Sequence, residues 1–140
     1  MEEIGYKFKR YIPKFKIYKS PAISIARGHI RLNQWCRQFI QKRPYCELFY
    51  DEDEKVIAIK PTQIDGPFSL TINNFGRNNN SLAIQCRTFI LENHIAEYIR
   101  LRDFYFKAKS IQFPAQWDDK NKCFFINLKY FKEIKDAKQS

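Results

Sequence analysis

The chain has 140 residues, enough for one domain with a buried core and too few for two large lobes. Its 25 Lys and Arg against 15 Asp and Glu leave a net charge of +10, and a positive field of this kind attracts polyanions such as nucleic acids. No stretch approaches 18 apolar residues, and the first residues lack the pattern of a secretion signal, so we expect neither a membrane span nor secretion.

Residues 1–19 are predicted to form a basic and aromatic arm. Within residues 6–19, YKFKRYIPKFKIYK, aromatic residues and cations are interleaved and no acid occurs. An extended chain would place the two kinds on opposite faces, and Pro13 favours an arm or an edge strand over a central strand. The cations would bind phosphates, although an edge strand with a solvated lysine face is an equal alternative. The candidate nucleic-acid-binding residues of the arm are Lys7, Lys9, Arg10, Lys14 and Lys16.

Short strands, one helix and a hairpin are predicted over residues 22–61. Gly28 marks a tight turn, Asn33 is a suitable N-cap, and Pro44 and Pro61 end the helix and the last strand. An acidic turn, Asp-Glu-Asp-Glu, joins the two strands of the hairpin. The predicted elements are strands over 22–25, 30–32, 45–50 and 55–60 and a helix over 34–42.

Basic residues cluster around the first glycine turn. Arg27, His29 and Arg31 lie within five positions of one another, and on a strand Arg27 and Arg31 would share a face. An ordinary solvated cation is the simpler interpretation of each residue taken alone. As a set they are predicted to contact nucleic acid.

An internal repeat is predicted from two similar segments, Cys-Arg-Gln-Phe-Ile at 36–40 and Cys-Arg-Thr-Phe-Ile at 86–90. A glycine turn and a short apolar strand precede each segment, and two strands joined by an acidic turn follow it. The predicted fold class is therefore α+β, with mainly short antiparallel strands in two β-helix-β-hairpin repeats that have one short helix each. The predicted organisation is an arm over 1–19, a single domain over 20–129 with repeats at 20–61 and 74–129, and a basic tail over 130–140.

Two further stretches contribute candidate binding residues. The Asn-rich stretch 73–80 is predicted to be a loop, and its Arg77 would suit a phosphate contact, although a surface loop without function is the simpler interpretation. The second repeat has an insertion at 96–112, where Arg100 and Arg102 would lie on one strand face.

The first repeat resembles the AbrB/SpoVT family of swapped-hairpin transcription factors. The residues that carry the resemblance are Ile23-Ser24-Ile25, Gly28 to Leu32, Arg37, Phe39, Glu47 to Asp51 and Ile57 to Pro61. The two repeats together resemble the tandem arrangement of the MraZ branch. The resemblance implies a β-barrel-like sheet with crossed hairpins, a basic face that binds DNA, and frequent dimerisation. The chain departs from the family at Asn33-Gln34, where a proline usually opens the helix, and in its basic arm.

The sequence contains no pattern typical of an enzyme or a cofactor site. Glycine-rich nucleotide loops and nucleophile or zinc-protease motifs are absent, and the acidic residues 51–54 are successive residues of a turn rather than convergent ligands. The four cysteines stand among apolar residues without metal-ligand spacing. We therefore expect a non-enzymatic protein without metal or cofactor, and reduced core cysteines in the cytoplasm.

The sequence thus predicts a nucleic-acid-binding protein, with DNA favoured over RNA and regulation of transcription as the leading function. One alternative is a protein-interaction module or inhibitor that binds an acidic or nucleic-acid-binding partner. The other is an RNA-binding accessory protein whose exposed rings stack on unpaired bases. A continuous positive face would favour duplex DNA, scattered cations with an exposed apolar patch would favour a protein partner, and exposed rings beside cations would favour single strands.

Overall fold

The structure is a computed structural model that describes residues 7, 20–74, 81–99, 101 and 110–130. Its strands are β1 (Ala22–Ile25), β2 (His29–Leu32), β3 (Tyr45–Asp51), β4 (Val56–Thr62), β5 (Leu70–Asn74), β6 (Leu82–Gln85), β7 (Ile111–Pro114), β8 (Gln116–Asp118) and β9 (Cys123–Asn127). A 3₁₀ turn (Gln34–Cys36) leads into α1 (Arg37–Ile40), and α2 (Arg87–Glu92) and α3 (Ile95–Tyr98) follow β6. None of the described helices is long and apolar enough to cross a membrane.

All nine strands belong to one antiparallel sheet in the order β7-β1-β2-β6-β5-β3-β4-β9-β8. The first and last strands of this order, β7 and β8, are separated in sequence only by Ala115. The backbone N–H of Ala115 donates to the carbonyl of Pro21 at 3.1 Å, which extends the pairing of β7 with β1. The chain itself therefore connects the two edges, and the sheet is a nearly closed barrel.

The predicted fold class, α+β with two β-helix-β-hairpin repeats, is wrong. The protein is mainly antiparallel β with a few short helices, and hairpins from the two halves of the chain alternate around the barrel instead of forming separate units. The β1–β2 hairpin pairs with β6, and β4 of the next hairpin pairs with β9. The physical reason is that an isolated two-stranded hairpin leaves both outer edges unpaired and its apolar face uncovered. Here strands from the other half of the chain pair with both edges of the β1–β2 hairpin.

The two Cys-Arg-x-Phe-Ile segments nevertheless occupy comparable places. Cys36 and Cys86 both immediately precede a helix, α1 and α2, and both helices follow β2 and β6, which pair with each other. The second half departs from the first because it has a further helix, α3, and an interrupted strand, β7–β8. The five similar residues thus mark a similar strand-to-helix junction in both halves of the chain, whereas the helices and strands that follow differ.

Alternating residues of each strand fill the barrel. Ile23 and Ile25 of β1, Ile30 of β2 and Ile84 of β6 have no exposed surface, and their β-branched side chains suit the packed face of a sheet. Phe113 and Phe124 are the largest fully buried side chains. Phe39 and Phe89, the aromatic residues of the two repeated segments, are partly buried and pack against this core.

Several element boundaries differ from those predicted. Strand β4 continues through Pro61 to Thr62, because Pro61 is buried opposite Cys46 and keeps the extended conformation that a strand requires. Within the stretch 73–80 that was predicted to be a loop, Asn73 and Asn74 instead pair with β6, and residues 75–80 lie outside the described residues. Strand β7 was not predicted; its first two residues lie at the end of the segment 96–112 that was interpreted as an insertion.

Candidate nucleic-acid interface

The described residues carry only a small part of the net positive charge. Of the 25 Lys and Arg, 12 lie in the described ranges, together with 10 of the 15 Asp and Glu, so these ranges have a net charge of +2 and the remainder +8. Lys7 is described and exposed. The predicted binding residues that lie outside the described residues are Lys9, Arg10, Lys14, Lys16, Arg77, Arg100 and Arg102.

Arg27 and Arg31 do not share a strand face, which corrects the sequence prediction. Arg27 lies in the turn before β2, and its Nη1 donates to the carbonyl oxygen of Leu101 at 3.5 Å. Arg31 lies within β2, opposite Ser24 on one side and Ala83 on the other. These small neighbours leave room for the long side chain to lie against the outer surface of the sheet, and Arg31 is half-buried.

His29 shares the outer face of β2 with Arg31, because the two residues are two positions apart on one strand. Burial, and then the nearby charge of Arg31, lower the pKa of His29 below its ordinary value of 6.5. The imidazole is therefore neutral at pH 7. Of the three residues predicted around this turn, the two arginines supply the positive charge.

A cleft with three cations lies at the end of α1. It has a volume of about 240 Å³, and its lining consists of Arg37, Lys42, Arg43, Ile40, Pro44, Ile72 and Leu82. No Asp or Glu occurs among these lining residues. We call this site the basic cleft. Arg37 is directed by a hydrogen bond from its Nη2 to Oδ1 of Asn74 at 2.7 Å, so α1 and β5 together position its guanidinium.

The local sequence explains how the cleft forms. Gln41 and Lys42 both have left-handed backbone conformations, with φ of 50° and 63°, which end the helix and reverse the chain. The N–H of Ile72 then donates to the carbonyl of Pro44 at 2.8 Å and joins this turn to β5. Two consecutive non-glycine residues with positive φ are uncommon and concentrate at functional sites.

The sequence offered a signal for this site that was left out of the predicted binding residues. Lys42 and Arg43 stand at the C-terminal end of the predicted helix over 34–42, which also carries Arg37, and cations at this end of a helix are favoured by its dipole. The approach of Ile72 and Leu82, which are distant in sequence, could not be read from that pattern.

In each of the two acidic turns, an aspartate side chain accepts a backbone hydrogen bond that stabilises the tip of a hairpin. Oδ1 of Asp51 accepts a hydrogen bond from the N–H of Glu54 at 3.0 Å, and Oδ1 of Asp118 accepts one from Lys120 at 3.0 Å. Each tip ends in a left-handed lysine, Lys55 or Lys122. Among the described residues, no group of three or more His, Cys, Asp or Glu side chains could hold a metal ion.

Two large apolar side chains project from the loop between β4 and β5. Ile64 is 73% exposed and Phe68 is 79% exposed. Hydrogen bonds fix the loop, since the Ser69 hydroxyl donates to Oδ1 of Asp65 at 3.0 Å and the Ile64 N–H donates to the Thr62 hydroxyl at 3.1 Å. Two such side chains on one hydrogen-bonded loop make this loop a candidate contact point for a partner.

In comparisons with protein families, curated proteins and solved structures, no match to this chain was found. The resemblance to the AbrB/SpoVT family thus depends on the residues that suggested it. The functional argument depends on the site geometry and the charge of the chain.

Proposed function

We propose that this protein is a non-enzymatic nucleic-acid-binding protein, with DNA as the first candidate ligand and regulation of transcription as its setting. The observation that carries the proposal is the basic cleft, whose lining includes three cationic residues and no acidic residue. The net charge of +10 supports a polyanionic ligand. About half to two-thirds of the hydrogen bonds between proteins and DNA go to phosphates and sugars, and phosphates are what cations in a small cleft can bind.

The cleft would hold a phosphate by direct ion contacts. Guanidinium groups bind two phosphate oxygens at once in a planar arrangement, and the hydrogen bond to Asn74 reduces the conformational freedom that Arg37 would lose on binding. Ile40, Ile72 and Leu82 exclude water from one side of the cleft, and charges interact more strongly where water is partly excluded. The cations of residues 7–16 and Arg31 would add further phosphate contacts.

The salt dependence of nucleic-acid binding tests whether the residues of the cleft contact phosphates. Replacing Arg37, Lys42 and Arg43 by Gln should make the log–log dependence of affinity on salt shallower by about 2 to 3 units on a duplex, because each phosphate contact contributes about 0.9. Binding is measured by fluorescence anisotropy with duplex DNA, single-stranded DNA and RNA at several salt concentrations. The matched control replaces Lys120, Lys122 and Lys129 by Gln, which changes the net charge equally at exposed positions that do not line the cleft.

Two results would overturn the proposal. Equal slopes for the cleft variant and the control would show that the cleft contributes only bulk charge. No binding of any nucleic acid at ~50 mM salt would exclude nucleic acid as the ligand, because electrostatic binding is strong at low salt.

A protein partner is the second candidate function, and the exposed loop with Ile64 and Phe68 is the observation that favours it. Large apolar and aromatic side chains are typical anchors of protein interfaces. The two functions differ in a measurable way: replacing Ile64 and Phe68 by Ser should leave nucleic-acid affinity unchanged if they serve a protein contact.

A cytoplasmic location is also a proposal. It is supported by the four cysteines, which are all buried and unpaired, since unpaired thiols persist in reducing compartments. The mass of the unreduced protein tests it, because a loss of two or four hydrogens would reveal disulfides and contradict a reducing environment.

A further inference from the structure

The basic cleft carries more positive charge than a single internal phosphate of a nucleic acid would neutralise. Arg37, Lys42 and Arg43 all line it, and no Asp or Glu is among its lining residues. A phosphodiester within a strand has one negative charge, whereas a terminal phosphate is a phosphomonoester and carries about 1.5 to 2 at pH 7. A terminal phosphate and the phosphodiester that follows it together carry about three negative charges, which matches the three cations.

Apolar residues make up the rest of the lining, namely Ile40, Pro44, Ile72 and Leu82. Ile40 and Leu82 are buried in the core, and Ile72 is half-buried. An inorganic anion gains nothing from such a surface, whereas a phosphate that is attached to a larger group would bury the apolar part of that group against it. The sugar and the base of a nucleotide are a group of this kind, because every base has an apolar ring face.

The size of the cleft limits its occupant to about one nucleotide. Drug-sized ligands occupy pockets of about 300–1,000 Å³, and the cleft has a volume of about 240 Å³. A run of several nucleotides does not fit into this space. The nucleotide at the end of a strand can enter a cleft more readily than an internal one, because the chain continues on only one side of it.

Hydrogen bonds hold two of the three cationic residues before any ligand binds. The Nη2 of Arg37 on α1 donates to Oδ1 of Asn74 on β5 at 2.7 Å. Arg43 is half-buried, and its backbone N–H donates to the carbonyl of Ile40 at 3.1 Å. A group that is already positioned loses less conformational freedom on binding, so these contacts favour the binding of an anion at this place.

We propose that the basic cleft binds the terminal nucleotide of a nucleic-acid strand that ends in a phosphate. The terminal phosphate lies against the cations, and the sugar and base contact the apolar residues. This inference rests on the proposed nucleic-acid function and specifies the part of the ligand that the cleft binds. Contacts of the other cations of the chain with internal phosphates do not depend on the end of the strand.

The experiment compares three thymidine 10-mers that differ only at their ends. One has a 5′-phosphate, one has a 3′-phosphate and one has neither, and each carries the same fluorescent label on an internal base. Fluorescence anisotropy of the full chain is measured at fixed salt and pH 7.5. One phosphorylated strand should bind roughly 10- to 100-fold more tightly than the strand without a terminal phosphate, which is the range expected for one added charge-assisted contact, and its identity shows which end is bound.

The ratio of these affinities is compared between variants, because a general loss of charge or of folded protein weakens the binding of all three strands alike. Replacing the three cations of the cleft by Gln should abolish the preference for the phosphorylated strand. The matched control, in which Lys120, Lys122 and Lys129 are replaced by Gln, should retain it. Asn74→Ala should reduce the preference, because the guanidinium of Arg37 loses the hydrogen bond that positions it.

Two further measurements test the charge of the ligand and its apolar contact. Lowering the pH from 7.5 to 5 protonates a terminal phosphate, whose pKa is near 6, so the preference should decrease; no Asp, Glu or His among the lining residues titrates in this range. In competition, thymidine monophosphate should displace the phosphorylated strand at a lower concentration than inorganic phosphate does. Equal displacement by the two competitors would contradict the contact with sugar and base.

The outcomes separate this inference from the proposed function. If no strand binds at ~50 mM salt, the proposed function and this inference are both overturned. If all three strands bind equally, or if the cleft variant keeps the preference, the protein still binds nucleic acid and only this inference is overturned. If a phosphoserine peptide displaces the phosphorylated strand more effectively than thymidine monophosphate does, the inference is also overturned and the cleft is assigned to a phosphorylated protein.

Discussion

Burial keeps three cysteine side chains neutral. It raises the pKa of Cys36, Cys46 and Cys86 from the ordinary value of 9.0 to about 12 in each case. These thiols belong to the hydrophobic core, where a thiolate would lose its hydration. Cys123 of β9 is also buried. Its burial, and then the nearby charge of Asp118, raise its pKa. Core thiols with high pKa values are poor nucleophiles, which fits a packing role.

Stability should therefore decrease in alkaline solution. Below pH 9 the thiols are protonated in both the folded and the unfolded chain, so their contribution is fully present. Between pH 9 and 12 the unfolded chain releases protons that the folded chain retains, and the free energy of unfolding should fall by up to about 1.4 kcal/mol per pH unit for each thiol. Urea denaturation at pH 8, 9 and 10 measures this fall.

The matched variant is Cys86→Ala, which removes one of the three thiols and should make the pH dependence shallower even though it also lowers stability at pH 8. A pH dependence that is identical in the two proteins would show that Cys86 does not contribute to it.

At the scale of elements, an aromatic cluster connects α1 to the β8–β9 hairpin. The ring of Phe39 stacks on Trp117 with centroids 5.2 Å apart and meets Phe124 edge-on at 5.8 Å. Trp117 and Phe124 are themselves in contact, with centroids 4.8 Å apart. Such pairs contribute beyond their buried area, so one residue of the first helix holds a hairpin from the other half of the chain.

Phe39→Ala should lower the free energy of unfolding by about 2–4 kcal/mol, somewhat less than for a fully buried ring, because Phe39 is only partly buried. The measurement is urea denaturation followed by circular dichroism. Phe68→Ala is the control and should cost less than ~0.5 kcal/mol, since an exposed ring makes few contacts. A cost below about 1 kcal/mol for Phe39→Ala would mean that the cluster does not hold the helix.

At the scale of the whole molecule, the strands of the two halves of the chain, residues 1–66 and 67–140, are interleaved in one sheet. Each strand of the first half pairs with a strand of the second: β1 with β7, β2 with β6, β3 with β5 and β4 with β9. Separation of the halves would expose all four of these strand edges together with the apolar residues between them. The protein should therefore unfold in a single cooperative transition.

Fragments test this interdependence. Residues 1–66 and 67–140, prepared separately, should each show no cooperative thermal transition by far-ultraviolet circular dichroism, and an equimolar mixture should regain strand signal. A fragment that unfolds cooperatively while sedimenting as a monomer would contradict the interleaved sheet as the source of stability.

Local sequence patterns determined most of the elements. The strand over Ala22–Ile25 and the hairpin strands around the acidic turns were predicted within two residues, because alternating apolar residues and turn residues act over short distances. Burial of the four cysteines was predicted correctly for the same reason. The charge of +10 is likewise a property of the sequence alone.

Tertiary structure alone decided which strands pair and which side chains meet. Nothing local in residues 22–61 distinguishes pairing within a repeat from pairing with the other half, since an unpaired strand edge accepts either partner. The basic cleft depends on Ile72 and Leu82 approaching α1. It joins residues far apart in sequence, so only the curvature of the sheet into a nearly closed barrel brings them together.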